Sequence, residues 1–136
     1  MREITEIIVH CTATMPGQEC NAKIIERWHK ERGFTSIGYH YVVLPDGTLE
    51  SGRPLSNVGA HCQGHNARSV GICYVGGLDV NCKPKDTRTP EQKTTLECVI
   101  RLLKGVFPKA KVYGHHDFNP GKACPCFDAK TEYANI

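Results

Sequence analysis

Two short apolar runs, residues 4–10 and 69–75, set the strongest limit on what this chain can fold into. Both are rich in Ile and Val, both are bounded by polar or turn-forming residues, and each is followed by a helix-patterned stretch before the next run. Runs of that length and composition read as strands. Strands that alternate with helices read in turn as a sheet covered on its faces by helices.

The helices have local punctuation. Asn21 can cap a helix running to about residue 31, with Ile24, Ile25 and Trp28 as its apolar stripe and Gly33 placed to stop it. Thr89, Pro90 and Gln92 spell a capping box with proline at the first helical position, and Leu96, Val99, Ile100, Leu103 and Phe107 supply the buried face behind it. Residues 39–44, the turn Pro45-Asp46-Gly47 and residues 48–50 read as a hairpin, and residues 111–114 as a last short strand. The fold class is therefore α/β, a mixed central sheet flanked by helices. The 136 residues suit a single domain, residues 1–136, and are too few for two joined by a linker.

Composition narrows the function classes. With 40% hydrophobic and 23% charged residues the chain belongs among globular proteins. The net charge of +3 is spread over scattered Lys and Arg residues, so no nucleic-acid partner is expected. No segment approaches the roughly 20 apolar residues of a membrane helix. The first residues lack the features of a signal peptide, which leads us to expect synthesis in the cytoplasm, action elsewhere only after release, and a monomer. In a reducing compartment the eight cysteines are expected to be mostly free thiols, one with a special task.

Side chains able to do chemistry collect at the strand ends. His10 closes the first run, while His115, His116 and Cys124 lie in a loop, residues 115–125, that follows the last strand. Two imidazoles and one thiolate suit zinc and leave a fourth position open for chemistry. Adjacent residues point to opposite sides of an extended segment, so only one of His115 and His116 can face the metal; spacing does not choose between them. Cys11, beside His10, is expected on the other face of its strand. The long loop 52–68 carries His61, Asn66 and Arg68, placed to line a groove and meet sugar or peptide carboxylates. Trp28, His29 and His40 are assigned to packing and surface hydrogen bonds, and Cys62, Cys73 and Cys98 to buried or half-buried thiols.

Several separated motifs occur in one order: Val9-His10-Cys11-Thr12-Ala13-Thr14, Trp28-His29-Lys30, Gly38-Tyr39-His40-Tyr41, Gly59-Ala60-His61, Ser69-Val70-Gly71-Ile72, and His115 through Cys124-Pro125. On these the chain resembles the type 2 N-acetylmuramoyl-L-alanine amidases, which include a phage lysozyme of amidase type and the animal peptidoglycan recognition proteins. The resemblance implies a mixed sheet of five or six strands with a zinc groove open on one side. It implies the ligand set His10, His115 and Cys124, with Tyr39 and Lys122 beside the metal as catalytic groups. The implied activity is zinc-dependent cleavage of the bond between N-acetylmuramic acid and L-alanine in peptidoglycan or muropeptides, as a phage or prophage lysis enzyme. Two departures stand out. Cys73 occupies a place where relatives that recycle wall fragments carry Glu, and the 115–124 loop is one residue longer than in the phage lysozyme. The alternatives are a non-catalytic peptidoglycan-binding protein, a polymerase-regulating protein, and a cytosolic muropeptide-recycling amidase.

Overall fold

A computed structural model describes residues 2–136. Its five strands form one sheet in the order β3-β2-β4-β1-β5. These are β1 (Glu6–Cys11), β2 (Tyr41–Val43), β3 (Leu49–Ser51), β4 (Ser69–Tyr74) and β5 (Lys111–Gly114). β1 pairs in parallel with both β4 and β5, β2 pairs in parallel with β4, and only the β2–β3 hairpin is antiparallel. The mixed α/β sheet read from the sequence is thus present. β4, expected to be central, is the middle strand.

Strand side chains alternate between faces, and the two faces do different work. Ile7, Val9 and Cys11 of β1 join Val70, Ile72 and Tyr74 of β4 in one core cluster, against Leu96, Val99, Ile100 and Leu103 of helix α2 (Pro90–Val106). Burying a side chain such as Leu96 or Ile100, both 0% exposed, contributes roughly 1.5–3 kcal/mol. The opposite face carries His10 and Cys73 and meets helix α1 (Ala22–Glu31) through a smaller cluster of Ile25, Ile37, Val42 and Val75.

Both helices begin as their caps predict. Asn21 Oδ1 accepts from the Ile24 N–H, and the Thr89–Gln92 capping box is complete. Gln92 does more than cap. It is fully buried, and its Nε2 donates to the carbonyls of Val43 and Val75, tying α2 to the ends of the sheet.

Several expectations shift. The first strand begins at Glu6, two residues later than its apolar run, because pairing starts only where β4 and β5 come alongside. Tyr39 lies just before β2. The packed face of α1 is Ile25 and His29, with Ile24 and Trp28 half-buried at its margins. His29 and His40 are buried, not surface, residues, and Cys98 is exposed on the outer face of α2. A short helix near the end, α3 (Ala129–Glu132), has no counterpart in the sequence reading.

Arg88 secures that last segment. Its side chain is 2% exposed, and its guanidinium forks onto Asp86 on one side and Glu132 on the other, donates to the Tyr133 hydroxyl, and stacks 3.3 Å from the Phe127 ring centroid. Hydrogen bonds from Arg88 hold the Glu132 carboxyl below its usual range. Burial pushes Asp86 up, but the same guanidinium outweighs it and the net direction is down. Carboxyls depressed on folding add stability above their unfolded values, and that stability is lost as pH falls through the folded ones. Both carboxylates keep partial contact with water, at 32% and 43% exposure, which screens the pairs. Arg88→Met is therefore expected to cost about 2–3 kcal/mol in chemical denaturation at pH 7 and to flatten the acid limb of stability below about pH 4.5. Arg88→Lys should not restore it, because the fork is lost.

Candidate active site

The parallel strands β1, β4 and β5 deliver their carboxyl ends to one edge of the sheet, where ligands bind in open α/β folds. His10 is the next-to-last residue of β1 and is 1% exposed on the face away from α2. His115 begins a 3-10 turn immediately after β5, and Cys124 lies at the far end of the same loop. Each of these residues offers one ligand atom, and the three atoms lie within 4.8 Å of one another. His116 turns away, its Nδ1 lying 3.4 Å from the Ala123 carbonyl, so of the adjacent histidines it is His115 that groups with His10 and Cys124.

The Cys124 thiol is fixed from two directions. The Cys11 N–H donates to Cys124 Sγ at 3.2 Å, and the buried Tyr74 hydroxyl donates to the Pro125 carbonyl at 2.6 Å. Cys11 itself turns into the α2 core, as strand alternation requires, with its Sγ 3.9 Å from that of Cys126. All eight cysteines are free.

Electrostatics keep the imidazoles neutral. Burial, and then the charges of neighbouring groups including Lys122, hold His10 well below the usual histidine range. Burial and then Lys122 also lower His115. Neutral imidazole is the form that binds metal. The donor set suits zinc chemically. Zinc–nitrogen and zinc–sulfur bonds of about 2.0–2.3 Å separate tetrahedral ligand atoms by roughly 3.3–3.6 Å, so the three atoms need only a small inward movement.

A groove of about 490 Å³ opens above these residues. Its walls include Tyr39, His61, Asn66, His115, Lys122 and Cys124, together with His29, Arg32, Phe34 and Asn119, and they carry no carboxylate. Tyr39 packs 5.1 Å from the His10 ring, and burial followed by the thiols of Cys73 and Cys124 raises its hydroxyl well above the ordinary phenol range. Cys73 is fully buried beneath Tyr39 and is itself held protonated by burial first.

The loop residues divide. His61 points inward to His10, with Nδ1 2.9 Å from His10 Nε2, and burial lowers its pKa to about 3. Asn66 lines the groove, but its Oδ1 already accepts from the N–H groups of His61 and Cys62 and serves to shape the loop. Arg68 is elsewhere: it is exposed and lines a separate depression with Thr5, Glu6 and His65. The cation on the groove wall that the sequence reading missed is Arg32, one residue past α1 and 5.2 Å from the Phe34 centroid.

The chain belongs to the N-acetylmuramoyl-L-alanine amidase family, whose profile matches residues 1–127. It is 43% identical over 127 residues to the endolysin of Enterobacteria phage K11, covering 93% of this chain and 83% of that one. It is 42% identical over 130 residues to the endolysin of Escherichia phage T7, covering 95% and 85%. Among solved structures, the N-acetylmuramoyl-L-alanine amidase LysC from Clostridium intestinale superimposes with a TM-score of 0.82 at 30% identity, covering 96% of this chain and 82% of that one. No helix among the described residues is long and apolar enough to cross a membrane.

If the Tyr74 hydroxyl holds the Cys124–Pro125 segment in place, Tyr74→Phe should cost about 1–3 kcal/mol in chemical denaturation, since it strands a buried carbonyl. An unchanged unfolding midpoint would show that water or another donor takes over that role.

Proposed function

We propose that this protein is a zinc-dependent amidase that cuts the bond between the lactyl group of N-acetylmuramic acid and L-alanine, acting on the wall as a phage or prophage lysis enzyme. The observation that carries this reading is the convergence of buried His10 with His115 and Cys124, the latter two in the wall of a groove lined by no carboxylate. Membership of the amidase family and extended similarity to phage endolysins support it.

Zinc held by those three atoms would supply Lewis acidity, lowering the pKa of water to about 7 and polarising an amide carbonyl. The protein's own groups account for the rest. Hydrolysis adds a hydroxyl to the lactyl carbonyl carbon and a proton to the alanyl nitrogen as the C–N bond breaks. The Lys122 ammonium lines the groove with His115 and Cys124 and lowers the pKa of His115 and His10, a position from which it would stabilise the oxygen on which negative charge develops. Tyr39 keeps its proton at neutral pH and can relay one, passing its own to the departing amine as it takes up the proton that the attacking water gives up.

Substrate recognition follows from groove charge. Stem peptides carry free carboxylates, and the walls offer Arg32 and Lys122 with no competing acid. We assign Arg32 the stem-peptide role that loop position had suggested for Arg68. His61 and Asn66 shape the groove wall. A purely binding reading is disfavoured by Cys124, which recognition of a sugar or peptide does not require.

The decisive experiment measures release of L-alanyl amino ends from purified peptidoglycan and from soluble muropeptides. The zinc-loaded protein should release them, and a chelated sample should not. Cys124→Ser should lose more than roughly 100-fold, because losing an outer partner of a metal ligand alone costs about 10–100-fold. Stoichiometric zinc with no release from either substrate would leave a binding role as the better account.

Steady-state kinetics separate the groove residues. Lys122→Met should lower kcat by about 100–1,000-fold. Arg32→Gln should leave kcat in place and raise KM by roughly 3–10-fold, the modest value suited to an exposed charged hydrogen bond. Equal effects on kcat from the two variants would refute this division of labour.

A further inference from the structure

His61 is built into the floor of the groove more tightly than a residue that merely lines it. Its Nδ1 lies 2.9 Å from His10 Nε2, and its Nε2 lies 3.1 Å from the hydroxyl of the fully buried Ser69 at the start of β4. The two imidazoles meet edge to face, with centroids 4.9 Å apart at 90°. Gly71 of β4 lies directly beneath the ring: a Cβ there would come within 2.6 Å of His61. Gly59 has the same relation, at 2.8 Å. Asn66 fixes the backbone on either side by accepting from the N–H groups of His61 and Cys62. The loop is thus anchored around this imidazole, and β4 leaves room for it.

The nitrogens of His10 are not equivalent. Nδ1 faces the thiol of Cys124 at 3.9 Å, while Nε2 is engaged by His61. If Nδ1 is to offer a lone pair to a metal, neutral His10 must carry its proton on Nε2. That N–H then donates to His61 Nδ1, which fixes the His61 proton on Nε2, where it donates to Ser69 Oγ. One chain of hydrogen bonds, His10 to His61 to Ser69, selects a single tautomer and a single ring orientation for the ligand. Partners of this kind commonly change metal affinity by about 10–100-fold.

We propose that His61 is a positioning residue for the metal ligand His10, fixing its tautomer and ring orientation through the Ser69-anchored hydrogen-bond chain. The proposal rests on the assignment of His10, His115 and Cys124 as metal ligands. It places His61 behind the metal, not against the substrate as its position in the long loop suggests. The general device is a carboxylate or carbonyl behind a metal-bound histidine; here a second imidazole takes that place.

The test is zinc affinity, read by competition with a chromogenic chelator on the full chain, with the unfolding midpoint of each variant measured alongside. His61→Asn keeps an amide oxygen near the Nδ1 position and should hold zinc within roughly fivefold of wild type. His61→Gln moves its amide toward the Nε2 position, leaves His10 without its acceptor, and should weaken zinc by about 10–100-fold. Both side chains are polar and of similar size, so comparing them separates hydrogen bonding from loss of packing. Nitrogen-15 spectra should show His10 protonated at Nε2 in the zinc-loaded wild type and in His61→Asn, with that proton exposed to rapid exchange in His61→Gln. Equal zinc affinity and equal spectra for the two variants would overturn the positioning role while leaving the amidase reading intact. A wild-type protein that binds no zinc in the same titration would instead remove the metal assignment itself.

Discussion

Much of this molecule depends on the pairing of β1 with a parallel neighbour on each side. Held between β4 and β5, the strand is buried on both faces, yet the two faces must carry opposite chemistry. Ile7, Val9 and Cys11 meet α2, while His10 stands on the opposite face beside His115 and Cys124. A slip of one residue would exchange them, setting an imidazole in the α2 core and apolar groups at the floor of the groove. The register is therefore a functional constraint as well as a structural one. The apolar contacts on the α2 side supply the energy that enforces it.

The second half of the site is held differently. His115 and Cys124 share one loop, and its position is set by a few polar anchors instead of a sheet ladder. The Cys11 N–H and the Tyr74 hydroxyl both reach this loop from the ends of strands that also touch α2. Packing on one face of the sheet is thereby carried to the chemistry at its edge. The buried Arg88 holds the segment that follows, so the chain cannot peel away from beyond Cys124 without breaking a stacked, forked guanidinium.

Features specified by neighbours in sequence were legible from residues alone. The capping box at Thr89, the turn at Pro45-Asp46-Gly47 and the apolar strand that carries His10 near its end are all local. Features that depend on the partner across space were not. Nothing near Glu6 says that pairing begins there. His29 is buried because its Nδ1 accepts the N–H of Gly38, nine positions away, and no helical period reveals that. The place of Arg68 in the long loop suggests a groove cation, and only the fold shows that Arg32 occupies the groove wall instead. Cys98 is different, since its place between Leu96 and Val99 puts it on the solvent side of the 3.6-residue period, and that signal could have been read. The motif resemblance singled out His10, His115 and Cys124, which the fold brings together; the contact between His61 and His10 needed coordinates.

The walls of the groove contain no carboxylate, and this bears on which ions can compete for the site. Magnesium and calcium are hard cations that demand several oxygen donors. Two imidazoles and a thiolate offer them almost nothing, however abundant they are around an anionic polymer. The softer first-row ions meet the opposite situation, and their order of affinity would favour copper over zinc if both were freely available. For a metal held by the proposed triad, selectivity against the common ions would thus lie in donor type, whereas selectivity among the scarce ones would fall to geometry and to supply.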